Sequence, residues 1–350
     1  MKVTVTKYLN VRVGKASVNA PSYQYLAPGT ILEVEDKTYK GDKYEDKDDW
    51  LKDAAGNYYW IGGVDYPEPA NQVTSAGPEK WWLTNFGIKE IWASGYTGLG
   101  VKIAILDTGI SYPHTDLSLD KTLFTDVTKS ASGIDDKIGH GTHCAGIIKA
   151  SNNEFGSTGI AYNSTLYICK TTHDQYGDKD EYILQGIKWA IGQNVDIISI
   201  SKGQPMEGEG IHQAIMDANA QGILIVAAAG NLTPGFPDNH IFFPARYPET
   251  LSVGGTDENN KPLHDAILTN ETNIYAPGKE IPSTFINNSY ASLSGSSQAT
   301  PYVAAACALL LEFKRNTDPH FPANEIKGLI LKNATNANVG KLINLANLFD

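Results

Sequence analysis

The 350-residue sequence is poor in cysteine, in positive charge and in long apolar runs, and each shortage excludes a class of protein. Its three cysteines, Cys144, Cys169 and Cys307, are odd in number and form no Cys-x-x-Cys pair, which argues against a disulfide framework or a zinc site. We expect them to be small buried hydrophobic residues. The net charge of −11 argues against a nucleic-acid partner, because phosphate recognition requires basic patches. No run reaches the ~20 apolar residues of a membrane span, so we expect no membrane association.

The first residues also lack the apolar segment of a signal peptide. If Met1 is the natural start, we expect a cytoplasmic protein, whereas removal of a signal or pro-segment would make it extracellular. The remaining composition, 41% hydrophobic and 19% charged, is that of a folded protein with a sizeable core.

A serine is placed where a helix should begin. Gly295 to Ala299 are small or polar and come shortly before the apolar run Tyr302 to Phe313. Small neighbours let a substrate carbonyl approach, and a helix start offers free N–H groups and a positive dipole end. These features favour a nucleophilic hydroxyl whose product is an oxyanion. Ser297 alone, and not Ser294 or Ser296, has Gly two residues before it, Ala two after and Pro four after.

Three further segments carry polar groups typical of the same chemistry. A buried-strand pattern ends in Asp107, and His140 opens a helix of small and apolar residues. A second buried-strand pattern, Ile223 to Gly230, is followed by Asn231. Acid, base and nucleophile therefore occur in the order Asp, His, Ser.

With these motifs in this order, residues from about 79 to 350 resemble the subtilisin family of serine proteases, the subtilases. Five shorter segments extend the resemblance: 95–98, 166–170, 186–191, 199–203 and 275–278. The resemblance implies an α/β fold with a mainly parallel central sheet and helices on both faces. It also implies a serine endopeptidase that acts on polypeptides through an acyl-enzyme.

The resemblance assigns a role to each polar group. Ser297 attacks the scissile carbonyl, His140 takes its proton, and Asp107 orients His140 and stabilises its charged form. Asn231 and the N–H of Ser297 donate to the oxyanion. His143 is the rival base, but three residues further along one helix it points about 300° away from His140, so we expect it to be structural.

Three other interpretations remain open. Asn231-Leu232-Thr233 matches a glycosylation sequon, a match that the oxyanion role would make accidental. A peptide ligase or macrocyclase would use the same acyl-enzyme but pass it to an amine. A binding protein with a silent protease domain is the third. Ser296 and Gln298 replace the family's usual Thr and Met, and neither change removes a catalytic atom.

The resemblance also places the substrate cleft, in which an extended peptide would pair with two backbone segments. The predicted substrate-binding residues are Ser201, Lys202 and Gly203 on one side, Ala228, Ala229 and Gly230 on the other, and Phe242 at the floor of the primary pocket. We expect Phe242 to make that pocket shallow, with a preference for Ala, Ser or Leu. Lys202 would favour an acidic side chain further upstream or extend into water. Phe243-Pro244 is a candidate cis peptide.

A calcium site is implied by two segments of the resemblance. Asp116 and Asn153 would supply side-chain oxygens, and Ser151, Phe155 and Ser157 would supply backbone carbonyls. Hard oxygen ligands on a looping backbone suit calcium. The alternative is an ordinary polar loop.

Residues 1–65 have a different pattern, with short alternating apolar runs separated by turn signals, which predicts a small all-β domain. Segments such as Leu9–Arg12 and Tyr58–Ile61 resemble a bacterial SH3-like barrel, and the resemblance implies a protein or cell-wall peptide ligand. Residues 66–78 have linker composition. We therefore predict an SH3-like domain at 1–65, a linker at 66–78 and a catalytic domain at 79–350.

Overall fold

The computed structural model describes residues 2–7, 9–18, 20, 22–35, 37–44, 47–66, 81–153, 155–232, 240–346 and 348–349. The chain divides into two compact units, one ending at Pro69 and the other beginning at Ala70. The predicted linker lies outside the described residues except for Tyr66. Within the described part, no helix has both the length and the apolar character needed to cross a bilayer.

The first unit consists of antiparallel strands. They are β1 (Lys2–Thr4), β2 (Leu9–Val13), β3 (Ser22–Leu26), β4 (Ile31–Glu33), β5 (Tyr39–Tyr44), β6 (Lys47–Lys52) and β7 (Asn57–Trp60). Five of them form a sheet in the order β3-β2-β7-β6-β5, and β1 pairs with β4. Alternate side chains such as Leu9 and Val11 enter a core around Trp50 and Leu51, so the alternating pattern does form strands here.

The second unit is built on a nine-stranded sheet. The strands of the whole second unit are β8 (Lys102–Asp107), β9 (Phe124–Asp126), β10 (Thr165–Lys170), β11 (Thr172–His173), β12 (Gly177–Asp178), β13 (Ile197–Ile200), β14 (Leu224–Ala228), β15 (Leu251–Thr256), β16 (Ile274–Pro277), β17 (Ile281–Phe285), β18 (Ser289–Leu293), β19 (Thr335–Ala337) and β20 (Gly340–Leu342). The sheet order is β19-β20-β16-β15-β14-β13-β8-β10-β9, and every pair except β19 with β20 is parallel. Two hairpins, β11-β12 and β17-β18, lie outside it.

Helices cover both faces of this sheet. They are α1 (Trp81–Thr84), α2 (Ile88–Ala93), α3 (His140–Lys149), α4 (Asp180–Gly192), α5 (Ile211–Ala220), α6 (Ser296–Arg315) and α7 (Ile326–Asn333). Along β8, Ile103 and Ile105 pack into the core that contains α3 and α6, whereas Ala104 and Leu106 pack into the core that contains α4 and α5. A strand buried on both sides must be apolar throughout, which explains the unbroken hydrophobic run. The predicted α/β architecture is confirmed.

The sheet order determines where the polar residues meet. β8, β13 and β14 are adjacent and parallel, so their carboxyl ends lie at one edge of the sheet. Asp107 ends β8, and Ser201 and Asn231 come shortly after β13 and β14. Both α3 and α6 begin at this edge, and α6 is buried from Ala299 to Leu311. This buried helix fixes the position of its first turn.

Candidate active site

A histidine and a carboxylate meet at the end of β8. The Nδ1 atom of His140 lies 2.8 Å from Oδ1 of Asp107, and the N–H of Thr108 donates to the same oxygen at 2.8 Å. An ionised carboxylate can only accept, so Nδ1 carries a hydrogen. The other ring nitrogen, Nε2, is then free to accept a proton.

The charges of this pair shift both pKa values. Burial disfavours the Asp107 carboxylate, but the charge and hydrogen bond of His140, with smaller contributions from Lys202 and Thr108, outweigh it and lower the pKa of Asp107. Burial would also lower the pKa of His140, yet the negative charge of Asp107 holds that pKa well above 6.5. His140 therefore loses its proton and becomes a free base only at a pH above the ordinary pKa of histidine.

A second carboxylate, which the sequence analysis missed, holds the start of α3 in place. Asp136 accepts from the N–H of Gly139 at 2.8 Å and from the N–H and hydroxyl of Thr142 at 2.9 and 2.7 Å. It also accepts from the hydroxyl of Thr108 at 2.8 Å. Asp136 thus joins the turn after Asp107 to the helix that begins with His140. A carboxylate just ahead of a predicted helix is the signal that could have identified it.

His143 occupies a different environment from His140. It is fully buried, and its Nε2 lies 2.9 Å from the carbonyl of Ile281 and 3.1 Å from that of Ala291. Burial first, and then the charge of His140, lowers the pKa of His143 to about 3. A neutral ring that donates to the β17-β18 hairpin has a structural role.

Ser297 is the second residue of α6 and is partly exposed. Its hydroxyl donates to the carbonyl of Ser201 at 2.8 Å, and not to His140. No acceptor for its N–H lies among the described residues, as expected in the first turn of a helix. The neighbouring Ser296 is buried and its hydroxyl donates to Asn231 at 2.6 Å, while Ser294 accepts from the N–H of Glu280.

Both ends of the Asn231 amide are bonded. Its Oδ1 accepts from the N–H and hydroxyl of Ser296 at 3.2 and 2.6 Å, which fixes the amide beside the first turn of α6. Its Nδ2 donates to Oδ2 of Asp265 at 2.8 Å. Asp265 has no counterpart in the sequence analysis, because it lies 34 residues away in a segment without a motif.

The predicted substrate segments lie on either side of Phe242. The N–H of Phe242 donates to the carbonyl of Ala229 at 2.9 Å, and Gln204 and Phe243 exchange backbone hydrogen bonds at 2.9 and 2.8 Å. A Cβ on Gly230 would come within 2.8 Å of the Phe242 ring, so the ring packs directly against this glycine. The side chains of Ala228 and Ala229 are buried. The Phe243-Pro244 peptide is cis, as predicted, and Tyr112-Pro113 is a second cis peptide.

Of the two alternatives considered for Lys202, extension of its side chain into water is wrong, whereas the preference for an acidic side chain further upstream stays a prediction. Its ammonium group lies 2.9 Å from Oδ1 of Asp178 and also donates to the hydroxyl of Thr172. The Lys202 side chain is only 13% exposed, so it neither extends into water nor offers an uncompensated charge to a substrate. The physical reason is the β11-β12 hairpin, which brings a carboxylate over this residue.

Asp116 is a predicted calcium ligand and is fully buried, and the other predicted ligands lie close to it. Its carboxylate accepts from Nδ2 of Asn153 at 3.0 Å, from the N–H of Ser157 at 2.9 Å and from the hydroxyl of Tyr290 at 3.3 Å. Its carbonyl accepts from the N–H of Ser151 at 2.9 Å. Phe155 lies on the same loop and donates its N–H to Oδ1 of Asn153 at 3.1 Å.

The charge balance around Asp116 fits a cation. In the part of the chain that the structure describes, all of its hydrogen-bond donors are neutral and no Lys, Arg or His forms an ion pair with it. Burial, and then the charge of Asp116, raises the pKa of Tyr290 to about 12, so that the phenol stays a donor. A buried carboxylate without a cationic partner is costly unless a metal ion compensates it. Tyr290 was not predicted.

Asp107, His140 and Cys144 also have donor atoms within 4.8 Å of one another. Burial raises the pKa of the Cys144 thiol, however, and metals bind the thiolate form. The pairing of Asp107 with His140 therefore accounts for this group without a metal. All three cysteines of the chain are buried and free, as expected.

Known proteins are similar to this chain in sequence and in fold. A family model described as "Subtilase family" matches residues 98–346. The "Minor extracellular protease Epr" of Bacillus subtilis (strain 168) is 42% identical over 238 residues, which are 68% of this chain and 36% of that protein. The chain thus matches little more than a third of the length of Epr.

Two further relatives match over most of their own length. "Subtilisin DY" of Bacillus licheniformis is 36% identical over 247 residues, which are 71% of this chain and 88% of that protein. The solved structure of "Prenylagaramide maturation protease PagA" is similar with a TM-score of 0.64 at 27% identity, covering 75% of this chain and 97% of that one.

Proposed function

The chain belongs to the subtilase family of serine endopeptidases, and from that premise we propose that it hydrolyses polypeptides through an acyl-enzyme on Ser297. One observation carries the proposal: a histidine oriented by a buried carboxylate at 2.8 Å begins its helix at the sheet edge where a second helix begins, with the partly exposed Ser297 in its first turn. Asp107, His140 and Ser297 would form the triad.

The residues support the following sequence of steps. Oγ of Ser297 turns from the Ser201 carbonyl toward His140, whose Nε2 takes its proton as the new C–O bond forms. The N–H of Ser297 and the amide of Asn231 donate to the resulting oxyanion. The protonated His140 then gives its proton to the leaving nitrogen as the C–N bond breaks, and a water molecule repeats the steps on the acyl-enzyme. Asp107 remains ionised and stabilises the imidazolium.

A serine-reactive fluorophosphonate tests this function. We expect the probe to label Ser297, and Ser297→Ala to lose both labelling and casein hydrolysis while Ser294→Ala keeps both. Labelling at another residue would refute the assignment of the nucleophile. A wild-type chain without labelling or hydrolysis would instead support the binding protein with a silent protease domain.

The proposed primary pocket is shallow, because the Phe242 ring packs against Gly230 between the two substrate segments. We infer a preference for Ala, Ser or Leu before the scissile bond, of roughly 1–3 kcal/mol over Phe or Tyr, which is typical of a hydrophobic pocket. Phe242→Gly should open the pocket and reverse the order of kcat/KM. Best turnover of Phe or Tyr peptides by both proteins would exclude this pocket.

Peptide maturation is a second candidate function. A structural relative is named a maturation protease, and the acyl-enzyme proposed here is the intermediate that a peptide ligase shares with a protease. Product analysis in the presence of a peptide amine distinguishes the two candidates. Aminolysis products in excess over hydrolysis products would favour ligation.

We also propose calcium as a structural ion at Asp116. Asp116 and Asn153 would supply side-chain oxygens and Ser151, Phe155 and Ser157 would supply carbonyls, which gives the oxygen-only ligand set that calcium prefers. The uncompensated burial of Asp116 supports this assignment. Such an ion would neutralise the Asp116 carboxylate and stabilise the loop that follows α3.

For the first unit we propose an SH3-like fold that binds a protein or a cell-wall peptide. Tyr44 is 50% exposed and packs edge-on against Trp60, with ring centres 5.0 Å apart, which offers an aromatic surface to a ligand. Loss of cell-wall binding by the full chain on Tyr44→Ala would support this role. The relative named as extracellular favours a location outside the cell.

A further inference from the structure

Asp265 belongs to no motif, yet the backbone places it beside Asn231. The N–H of Leu232 donates to the carbonyl of Asp265 at 2.6 Å, and Asn231 forms an isolated antiparallel bridge with Ala266. This pairing fixes the segment around residue 265 against the exit of β14. The Asp265 carboxylate consequently reaches the Asn231 amide at 2.8 Å.

The geometry leaves the Asn231 amide little freedom to turn away. Its oxygen is held by two donors from Ser296, so its nitrogen must point to the side where Asp265 lies. The side chain of Asp265 is 24% exposed, and among the described residues no Lys or Arg forms an ion pair with it. One titratable neighbour is His264, whose Nδ1 is 3.9 Å from Oδ1 of Asp265. The Asn231 amide, which would donate to the oxyanion in the proposed reaction, therefore already donates to the Asp265 carboxylate in this structure.

We propose that Asp265 is a brake on acyl transfer, acting through the Asn231 amide. The inference rests on the proposed function, in which this amide donates to the oxyanion. Nδ2 carries two hydrogens, and two acceptors bonded to them are roughly 5 Å apart. Two negative charges at that separation repel each other, and the repulsion appears only as the oxyanion forms. It therefore lowers kcat and has little effect on the binding of the uncharged substrate.

Removing the charge while keeping the shape tests the brake. Asp265→Asn can still present an oxygen to Nδ2 of Asn231, so the amide stays oriented while the repulsion is lost. With a peptide amide as substrate, we expect kcat to rise about tenfold, with KM changed less than twofold. Asp265→Ala should also raise kcat. Glu258→Gln is the matched control, because it removes one charge from an exposed position of the same loop and should change neither constant.

A second measurement separates this effect from a structural one. A peptide trifluoromethyl ketone becomes an oxyanion when Ser297 adds to it, so its Ki should fall in Asp265→Asn by the factor by which kcat/KM rises. The matching peptide alcohol, which forms no oxyanion, should bind equally to both proteins. In an Asn231→Ala background the gain from Asp265→Asn should largely disappear, because the shared amide is gone.

Two results would overturn the brake. A fall in kcat for Asp265→Ala that Asp265→Asn restores would show that Asp265 serves only to orient the amide. Unchanged kcat and unchanged ketone affinity in both variants would show that the contact has no effect on the reaction. A wild-type chain that neither hydrolyses peptides nor reacts with the fluorophosphonate would refute the proposed function itself, whereas an active wild type without the gain refutes only the brake.

Discussion

The base side and the oxyanion side of Ser297 each present a carboxylate to a polar group, and the same contact has opposite consequences. Asp107 accepts from His140 at 2.8 Å, and Asp265 accepts from Asn231 at 2.8 Å. In the proposed reaction His140 becomes positively charged, whereas negative charge develops beside Asn231. In that reaction the charge of the partner in the transition state, and not the hydrogen bond itself, decides what each carboxylate contributes.

Asp116 is a third carboxylate, and it lies away from the reacting atoms. It is as deeply buried as Asp107 but contacts neutral donors, among them Asn153 and Tyr290. Its charge can therefore affect stability through a bound cation and has no reacting group to act on. The three carboxylates differ in function because their neighbours differ.

The largest expected effect comes from neutralising the carboxylate on the base side. Asp107→Asn should lower kcat by about 10⁴-fold, because an amide can hold the wrong tautomer of His140 and cannot stabilise its charge. Steady-state kinetics on a peptide substrate measure it, with Asp217→Asn on the exposed face of α5 as control. A loss of kcat below tenfold would show that the charge of Asp107 contributes little to the reaction, which would contradict the opposite roles given to Asp107 and Asp265.

The next effect concerns Asp116 and is measured as stability. A hundredfold excess of calcium over its Kd stabilises a folded protein by about 3 kcal/mol, or about 5 °C in Tm for a domain of this size. We expect that gain between EDTA and millimolar calcium, and its absence in Asp116→Asn. The control is Asp120→Asn, an exposed carboxylate in the following turn. Equal melting curves of the wild type in both buffers would mean that the neutral hydrogen-bond donors stabilise the Asp116 carboxylate without a calcium ion.

The pH profile tests the sign of the charge effect at His140. The base acts only when neutral, and Asp107 raises its pKa, so activity should be lost as pH falls through a value above 6.5. Below that value kcat/KM should fall about tenfold per pH unit. Asp107→Asn should move the ascending limb to lower pH. Measurement of kcat/KM from pH 5 to 9 tests this shift, with folding checked by circular dichroism at each pH. An ascending limb of the wild-type profile centred below pH 6.5 would contradict the raised pKa of His140.

The smallest effect is expected at the ion pair of Lys202 with Asp178. Asp178→Asn should leave the ammonium group uncompensated and raise kcat/KM for peptides with Glu instead of Gln upstream of the cut. A partly exposed pair is worth 0.2–1 kcal/mol, so the gain should be at most about fivefold. The double variant with Lys202→Met should lose the gain. An equal preference in all three proteins would show that substrates do not approach Lys202.

The sequence predicts those features that follow from strand ends and helix starts. Asp107 and Asn231 end or follow buried strands that are parallel neighbours, so the sheet brings them to one edge. The hydrogen-bond partners that modify these groups were not predictable in the same way. Asp265 reaches Asn231 from 34 residues away, and Asp178 reaches Lys202 from 24 residues away. Both contacts arise from loop and hairpin geometry, which leaves no periodic pattern in the chain.

The same sheet order has a consequence for how the chain acquires its site. The carbonyl of Ser297 lies 3.8 Å from the thiol of Cys144, which is 153 residues earlier, and its hydroxyl bonds Ser201 across 96 residues. Contacts between such distant segments close late and make folding slow. A nascent chain that has formed α3 but not α6 would hold His140 without a nucleophile. We therefore expect the newly made protein to pass through folding without digesting itself, and proteolysis to begin only once the second unit is complete.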